Sequence, residues 1–416
     1  MARGQGRRPC LHLLAAERYR PLGEEGVTGE ARLTPPGFVD PKARSEFIRL
    51  GTIVFLTAMT NQQAVILAVV WQEAGFSHAD IGILLGVYGV PLVLASLFSG
   101  AAANRFGLLP TVRLGAVLTT FGLVSLYFTH ESFAGSFASR IVQGAGFALF
   151  HAPVMTYGTT RLTQDRFIQL FGLLSAMAPL PYAFGPVVAE YLFHAFGPRT
   201  FFLAGSLPGL LALPLLWTLR PVEKAEPQVG GMRALLSSGR ITLPMIAACV
   251  FGAMFGFVSA FMAPVMLERG LSIGAFFTSF TLSIFIVRLG LLGPLETIDR
   301  RLVVAGGAVV LALGLTLAAL ANSLPMAIAA GLVFGMGHSI GFPVLSAWIC
   351  DGTPPEARAT PLALFNATFF AAIYLIALPA SLAIARFGYP PVMIATASTG
   401  LVLAVGLTVA WYRRFR

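Results

Sequence analysis

Apolar runs of about 20 residues recur from Ile48 to Trp411, separated by short polar breaks, and no other periodicity in the chain is as strong. A helix rises ~1.5 Å per residue, so each run is long enough to cross a hydrocarbon layer of ~30 Å. Length and breaker residues predict spans near Ile48–Gln72, Ala79–Ala103, Val112–Phe128, Ala134–Gly158, Phe167–Ala195 and Thr200–Leu219. After a polar stretch come spans near Ile241–Leu267, Ser272–Leu292, Leu302–Ala321, Pro325–Cys350, Pro361–Ala385 and Val392–Trp411. The expected fold class is therefore an all-α membrane protein with twelve transmembrane helices in two six-helix bundles. Its expected divisions are a disordered basic tail (1–45), an N-terminal bundle (46–219), a linker (220–240), a C-terminal bundle (241–412) and a short C-terminus (413–416).

Composition agrees with a lipid solvent. Hydrophobic residues make up 56% of the chain and charged residues 11%, against about 25% charged in soluble domains. The net charge of +10 does not imply nucleic-acid binding, because the basic residues sit between apolar runs rather than on one soluble face. With loops assigned alternately to the two sides, 23 of the 28 Lys and Arg residues fall on the side of both termini and the linker. The opposite side has only Arg199, Arg269 and Arg386, which places both termini and the linker in the cytoplasm. The segment before Arg44 has too short an apolar stretch, Leu11 to Ala16, for a signal-peptide core, and its glutamates argue against an organellar presequence. Cys10, Cys249 and Cys350 have no metal or disulfide spacing and read as packing residues.

The halves echo each other. Gly144-Ala-Gly146 followed by Pro153 in the fourth span matches Gly335-Met-Gly337 followed by Pro343 in the tenth. Leu170-Phe171 with Pro186 likewise matches Leu364-Phe365 with Pro379, and the offsets all lie between 190 and 194 residues. An internal duplication follows.

These features together resemble the major facilitator superfamily. The loop after the second span, Gly100-Ala-Ala-Ala-Asn104-Arg105-Phe-Gly107 with Arg113 beyond it, is similar to that family's glycine-aspartate-arginine signature, with Asn104 in place of the aspartate. The loop after the eighth span keeps Asp299-Arg300. Arg140-x-x-Gln143-Gly144-x-Gly146 matches the family's fourth-span pattern, and Gly185-Pro186 resembles the exporter motif of the fifth, although Pro181 and Ala189-Glu190 stand where glycines are usual. The resemblance is greatest to bacterial drug and sugar efflux permeases. It implies a secondary transporter of a bacterial inner membrane, working by alternating access in proton-coupled efflux of a small solute, with no cofactor and a monomer as the working unit.

Charge at bilayer depth costs at least ~2.5–3.5 kcal/mol on insertion scales, so embedded ionisable residues are functional candidates. Arg140 and Glu190 both lie roughly 8–9 Å below the outer surface, close enough in depth to pair. Either Arg140 holds an anionic substrate group or sets the affinity of Glu190 for a coupling proton, or the two form a structural lock. Asn61, Gln62 and Gln63 in the first span, Gln143 in the fourth and His338 in the tenth form an expected solute-binding layer, with interhelical hydrogen bonding as the alternative. Asn104, Arg105, Arg113, Arg288, Asp299, Arg300 and Asp351, with Arg358, form an expected cytoplasmic gate. No H-E-x-x-H, G-x-S-x-G or phosphate-loop motif stands on the spans, so neither an enzyme nor an ATP-driven pump is expected. Uptake or uniport of a polar or anionic metabolite, and a non-transporting receptor or assembly factor, are the alternative functions.

Overall fold

The structure is a computed structural model that describes residues 38–62, 64–162, 167–221, 241–290, 298–351 and 359–413. Its helices are α1 (Ala43–Asn61), α2 (Ala64–Glu73), α3 (His78–Gly86), α4 (Gly89–Phe106), α5 (Leu108–Thr129), α6 (Phe133–Thr159), α7 (Phe167–Ala176) and α8 (Gly185–Trp217). The second half holds α9 (Thr242–Glu268), α10 (Ile273–Gly290), α11 (Arg300–Leu320), α12 (Leu324–Ile349), α13 (Ala359–Leu375), α14 (Ala377–Phe387) and α15 (Tyr389–Tyr412).

Among the described residues, nine segments are long and apolar enough to cross a bilayer. One of them, Leu173–Trp217, is 45 residues long, more than twice what a span needs. It breaks at Gly197, whose φ of +79° ends one helix and starts the next ahead of Pro198. α6 and α10 supply the two remaining crossings. α6 carries Arg140, Gln143 and His151, which lower its hydropathy, and α10 is shorter.

Several spans are discontinuous. The second is α3 then α4, with Val87 and Tyr88 between them, and the fifth passes through a 3-10 turn, Leu180–Ala183, before α8. Broken spans are tolerated in a bilayer only where protein or an aqueous cavity satisfies the freed backbone groups.

The duplication is visible in the packing. A Cβ on Gly146 would strike the backbone of Gly115 and Thr119 on α5, and a Cβ on Gly337 would strike Gly307 and Leu311 on α11. Gly144 abuts the Tyr88 carbonyl just as Gly335 abuts that of Phe280. Small residues let these helix pairs approach until backbone meets backbone. Positive-φ glycines recur at similar separations, with Gly75 matched by Gly270 195 residues on and Gly197 by Gly388 191 residues on.

Residues 38–45 are part of the folded N-terminal half rather than of a tail. α1 begins at Ala43, Phe38 is buried against Phe47, and Val39 donates to the Arg161 carbonyl at 3.3 Å. The cause is a charge cluster: buried Glu46 pairs with Arg161 at 3.0 Å and Arg220 at 2.7 Å, and Arg220 also reaches Asp40 at 3.1 Å. Residues 1–37, the linker at 222–240 and residues 414–416 lie outside the described residues.

Candidate functional site

The two halves meet mainly at the side remote from the linker. There Gly82 of α3 lies against Ser381 of α14, and Gly274 of α10 lies against Val187 of α8. The Thr278 hydroxyl donates to the Ala183 carbonyl at 2.5 Å, joining α10 to the 3-10 turn. Beside this contact Tyr182 stacks on Phe277 at 6.0 Å, and further toward the linker side Tyr88 and Tyr374 lie 4.6 Å apart between ring centres. Nearer the linker side, Phe370 meets Phe147 at 6.4 Å and His151 at 5.6 Å. Phe147, His151, Tyr182, Phe255, His338, Phe342, Phe370 and Tyr374 are only partly buried, as side chains facing a space between the bundles would be.

Arg140 is 1% exposed. Its Nε donates to the Leu84 carbonyl at 3.2 Å, its Nη1 to Gln143 Oε1 at 2.5 Å, and its guanidinium lies 4.3 Å from the Tyr88 ring centre. Gln143 is therefore occupied by Arg140, as their three-residue spacing on one helix face allows.

Arg140 and Glu190 do not pair. Glu190 lines a shallow pocket of about 460 Å³ with Val187, Tyr191, His194, Ala195 and Ser272. Its carboxylate interacts with the backbone N–H groups of Gly274 and Ile273 in the first turn of α10, where a helix offers unpaired donors and a partial positive charge. Equal depth put the two side chains at one level; helix rotation points them in different directions.

Asn61 accepts from the Tyr88 hydroxyl at 3.3 Å and donates to Thr57 O at 3.2 Å. Gln62, which caps the C-terminal end of α1, is buried beside Tyr182 with its Oε1 unpartnered. Gln63 lies outside the described residues. His338 stacks on Phe255 at 4.3 Å, and its Nδ1 is buried without a partner.

The residues expected to form a gate are not gathered into one cluster. Asp299 caps α11 by accepting from the Arg301 N–H at 2.8 Å. Arg300 pairs with Asp351 and donates to the Ala347 carbonyl, both within the C-terminal half. Arg113 donates to Leu216 O at 3.3 Å and lies over Trp217, closing the end of α8 within its own half. Arg105 is exposed and lies over Phe106. Arg288 makes no ion pair with Asp351, whose described partner is Arg300. The Asn104 side chain and Arg358 lie outside the described set.

The aromatic belt was not foreseen. Its members sit in apolar runs where a phenylalanine or tyrosine ordinarily reads as core packing, and only the partial exposure of several of them separates them from it. A polar layer with broken helices between two duplicated bundles is the arrangement expected of an alternating-access carrier.

The sequence model of the Major Facilitator Superfamily matches residues 50–295 and 272–415. The chain belongs to this superfamily. It is accordingly a multi-pass membrane transporter and not an enzyme. The chain is 25% identical over 290 residues to "Multidrug resistance protein MdtL" of Klebsiella pneumoniae (strain 342), covering 66% of this chain and 72% of that protein. A 26% identical match to "Monocarboxylate transporter 13" of Bos taurus covers 38% of this chain and 36% of that one. Its fold is shared with the crystal structure of the nucleoside transporter NupG, at TM-score 0.73 and 14% identity, over 88% of this chain and 99% of that chain. A POT family transporter in complex with 5-aminolevulinic acid gives TM-score 0.76 at 13% identity, over 91% and 98%.

Proposed function

We propose that this transporter exports a small organic solute from the cytoplasm across a bacterial plasma membrane, driven by protons, with both termini and the linker in the cytoplasm. The observation that carries the reading is the closure of the two halves at the side remote from the linker, above a belt of partly exposed aromatic and polar side chains. This is the inward-open member of an alternating pair, in which solute reaches the belt from the cytoplasm. The resemblance to proteins named for multidrug resistance supports export, and the excess of Lys and Arg on the linker side supports the orientation.

Glu190 is the one acidic residue within the described spans away from their ends. It belongs to the closed outer contact, where its charge holds the start of α10 against α8. Its neutralisation by an external proton weakens that contact and ties opening to the proton gradient.

The test is flux of a panel of labelled metabolites and drugs in proteoliposomes under an imposed pH gradient, comparing wild type with Glu190→Gln. Gradient-driven flux in wild type and its loss in the variant are expected. Equal gradient-driven flux in both would remove Glu190 from coupling. Absence of flux for every solute would favour a receptor. The match to a monocarboxylate transporter supports a second reading, uptake of an anionic metabolite, which the direction of flux in the same assay distinguishes.

A further inference from the structure

Two cations stand deep within the described spans, away from the ends where the other arginines lie, Arg140 in the N-terminal half and Arg288 in the C-terminal half, and no carboxylate pairs with either among the described residues. They differ in access. Arg140 is sealed by Leu84, Gln143 and Tyr88, whereas Arg288 is partly exposed and keeps a buried Nε without an acceptor.

Arg288 on α10 is close enough to His338 on α12 for its charge to act on the imidazole. The His338 Nδ1 is also buried and unpartnered. Two nitrogens able to donate hydrogen bonds are thus left without acceptors in one region. Around them stand aromatic rings from three helices: Phe255 of α9, stacked on His338 at 4.3 Å and 24°, Phe280 of α10 at 5.6 Å, and Phe369 of α13 at 6.5 Å. An embedded cation with an open donor is costly, and a ligand that brings negative charge and acceptor oxygens removes that cost.

We propose that Arg288 and His338 form an anion subsite floored by Phe255, Phe280 and Phe369, and that the substrate is an aromatic carboxylate. The proposal rests on the transporter reading above and names the substrate class of that belt. A carboxylate accepts from the guanidinium through two oxygens, a geometry that an ammonium or a neutral amide cannot reproduce. A planar ring attached to it stacks in the aromatic floor. The same arrangement disfavours cationic solutes, since it offers them the Arg288 guanidinium and no described carboxylate. Arg140, shielded behind Tyr88, adds to the positive field without touching the solute.

The experiment is equilibrium binding to the purified full-length transporter in detergent, using salicylate, its neutral amide salicylamide, the ringless anion acetate, and the aromatic cation benzyltrimethylammonium. Salicylate is expected to bind saturably and at least about tenfold more tightly than each of the others, as loss of a charge-assisted pair or of ring stacking implies. Arg288→Gln should lose about tenfold or more for salicylate while leaving salicylamide unchanged. Arg288→Lys should fall between, because it keeps charge and loses the fork. The four-ligand comparison on wild type needs no variant to fold. Equal affinity for salicylate and salicylamide overturns the anion subsite, equal affinity for acetate overturns the aromatic floor, and no saturable salicylate binding sinks both. Selective salicylate binding without transport of it would leave the subsite standing and count against the transporter reading. Transport of the panel with no preference for anions would do the reverse.

Discussion

Arg140 concentrates the energetics of the site in one residue. Burying a guanidinium without a counter-ion is expensive, and its two hydrogen bonds and the Tyr88 ring recover only part of that cost. A residue kept for stability alone would be better replaced by an apolar side chain of similar length. Arg140→Met removes the desolvation cost along with the hydrogen bonds, so its stability should change by no more than about 1 kcal/mol. Transport should fall by at least about tenfold, because the charge next to Tyr88 and Tyr374 sets the field at the inter-bundle contact. Melting and flux of the same preparation separate the two effects, and a large loss of stability with flux intact would make Arg140 structural. The sequence made Arg140 and Gln143 legible because three residues on a helix give a known relative direction. It left the partner of Glu190 illegible. Depth follows from counting residues along a span, whereas direction depends on how each helix is rotated within its bundle.

At the level of elements, the N-terminal half is tied together at its linker end by charge rather than by apolar packing alone. Glu46 is 1% exposed between Arg161 and Arg220, and Arg161 also donates to the Tyr157 hydroxyl at 2.8 Å and to the Arg220 carbonyl at 2.9 Å. Four segments, the stretch before α1, α1 itself, the end of α6 and the chain after α8, therefore share one cluster. Glu46→Gln leaves two arginines facing a neutral side chain and should cost about 3 kcal/mol, read as a lowered melting temperature. Asp40→Asn should cost less than about 1 kcal/mol, since Asp40 and Arg220 are both more than a third exposed and screened by water. Partial burial works to raise the Asp40 carboxyl, but hydrogen bonds from Arg220 and from the Lys42 and Ala43 N–H groups outweigh it and hold it below its ordinary 3.8. A lowered folded value means that the contribution of Asp40 is present above pH 3.8 and is lost as pH falls through the folded value. Wild type and Asp40→Asn should accordingly differ in melting temperature at neutral pH and converge in acid. The spans were legible from hydropathy, because crossing a bilayer fixes their length. The cluster was not, because its members are 180 residues apart in sequence and arginines beside a membrane ordinarily read as surface anchors.

For the whole molecule, the decisive contact is the one that must break. If the two halves rock about the aromatic belt, then α8 and α10 separate at their remote ends in every cycle, and a covalent bridge there stops transport without touching the belt. Val187 and Gly274 offer the place, since a Cβ built on Gly274 lies 3.2 Å from the Val187 Cβ. Small local adjustment brings that separation into the range of about 3.5–4.5 Å found across disulfides. In a background with Cys10, Cys249 and Cys350 replaced by serine, the double variant Val187→Cys and Gly274→Cys should transport when reduced and stop when oxidised. Reductant should restore flux. Oxidised protein should still bind ligand offered from the linker side, because the cavity stays open there. Undiminished flux with the bridge fully formed would mean that the remote contact does not open during transport, and the inward-open assignment would fall with it. Which face is closed was not legible in the sequence, because both conformations of a carrier are built from the same spans and differ only in which end of the interface is in contact.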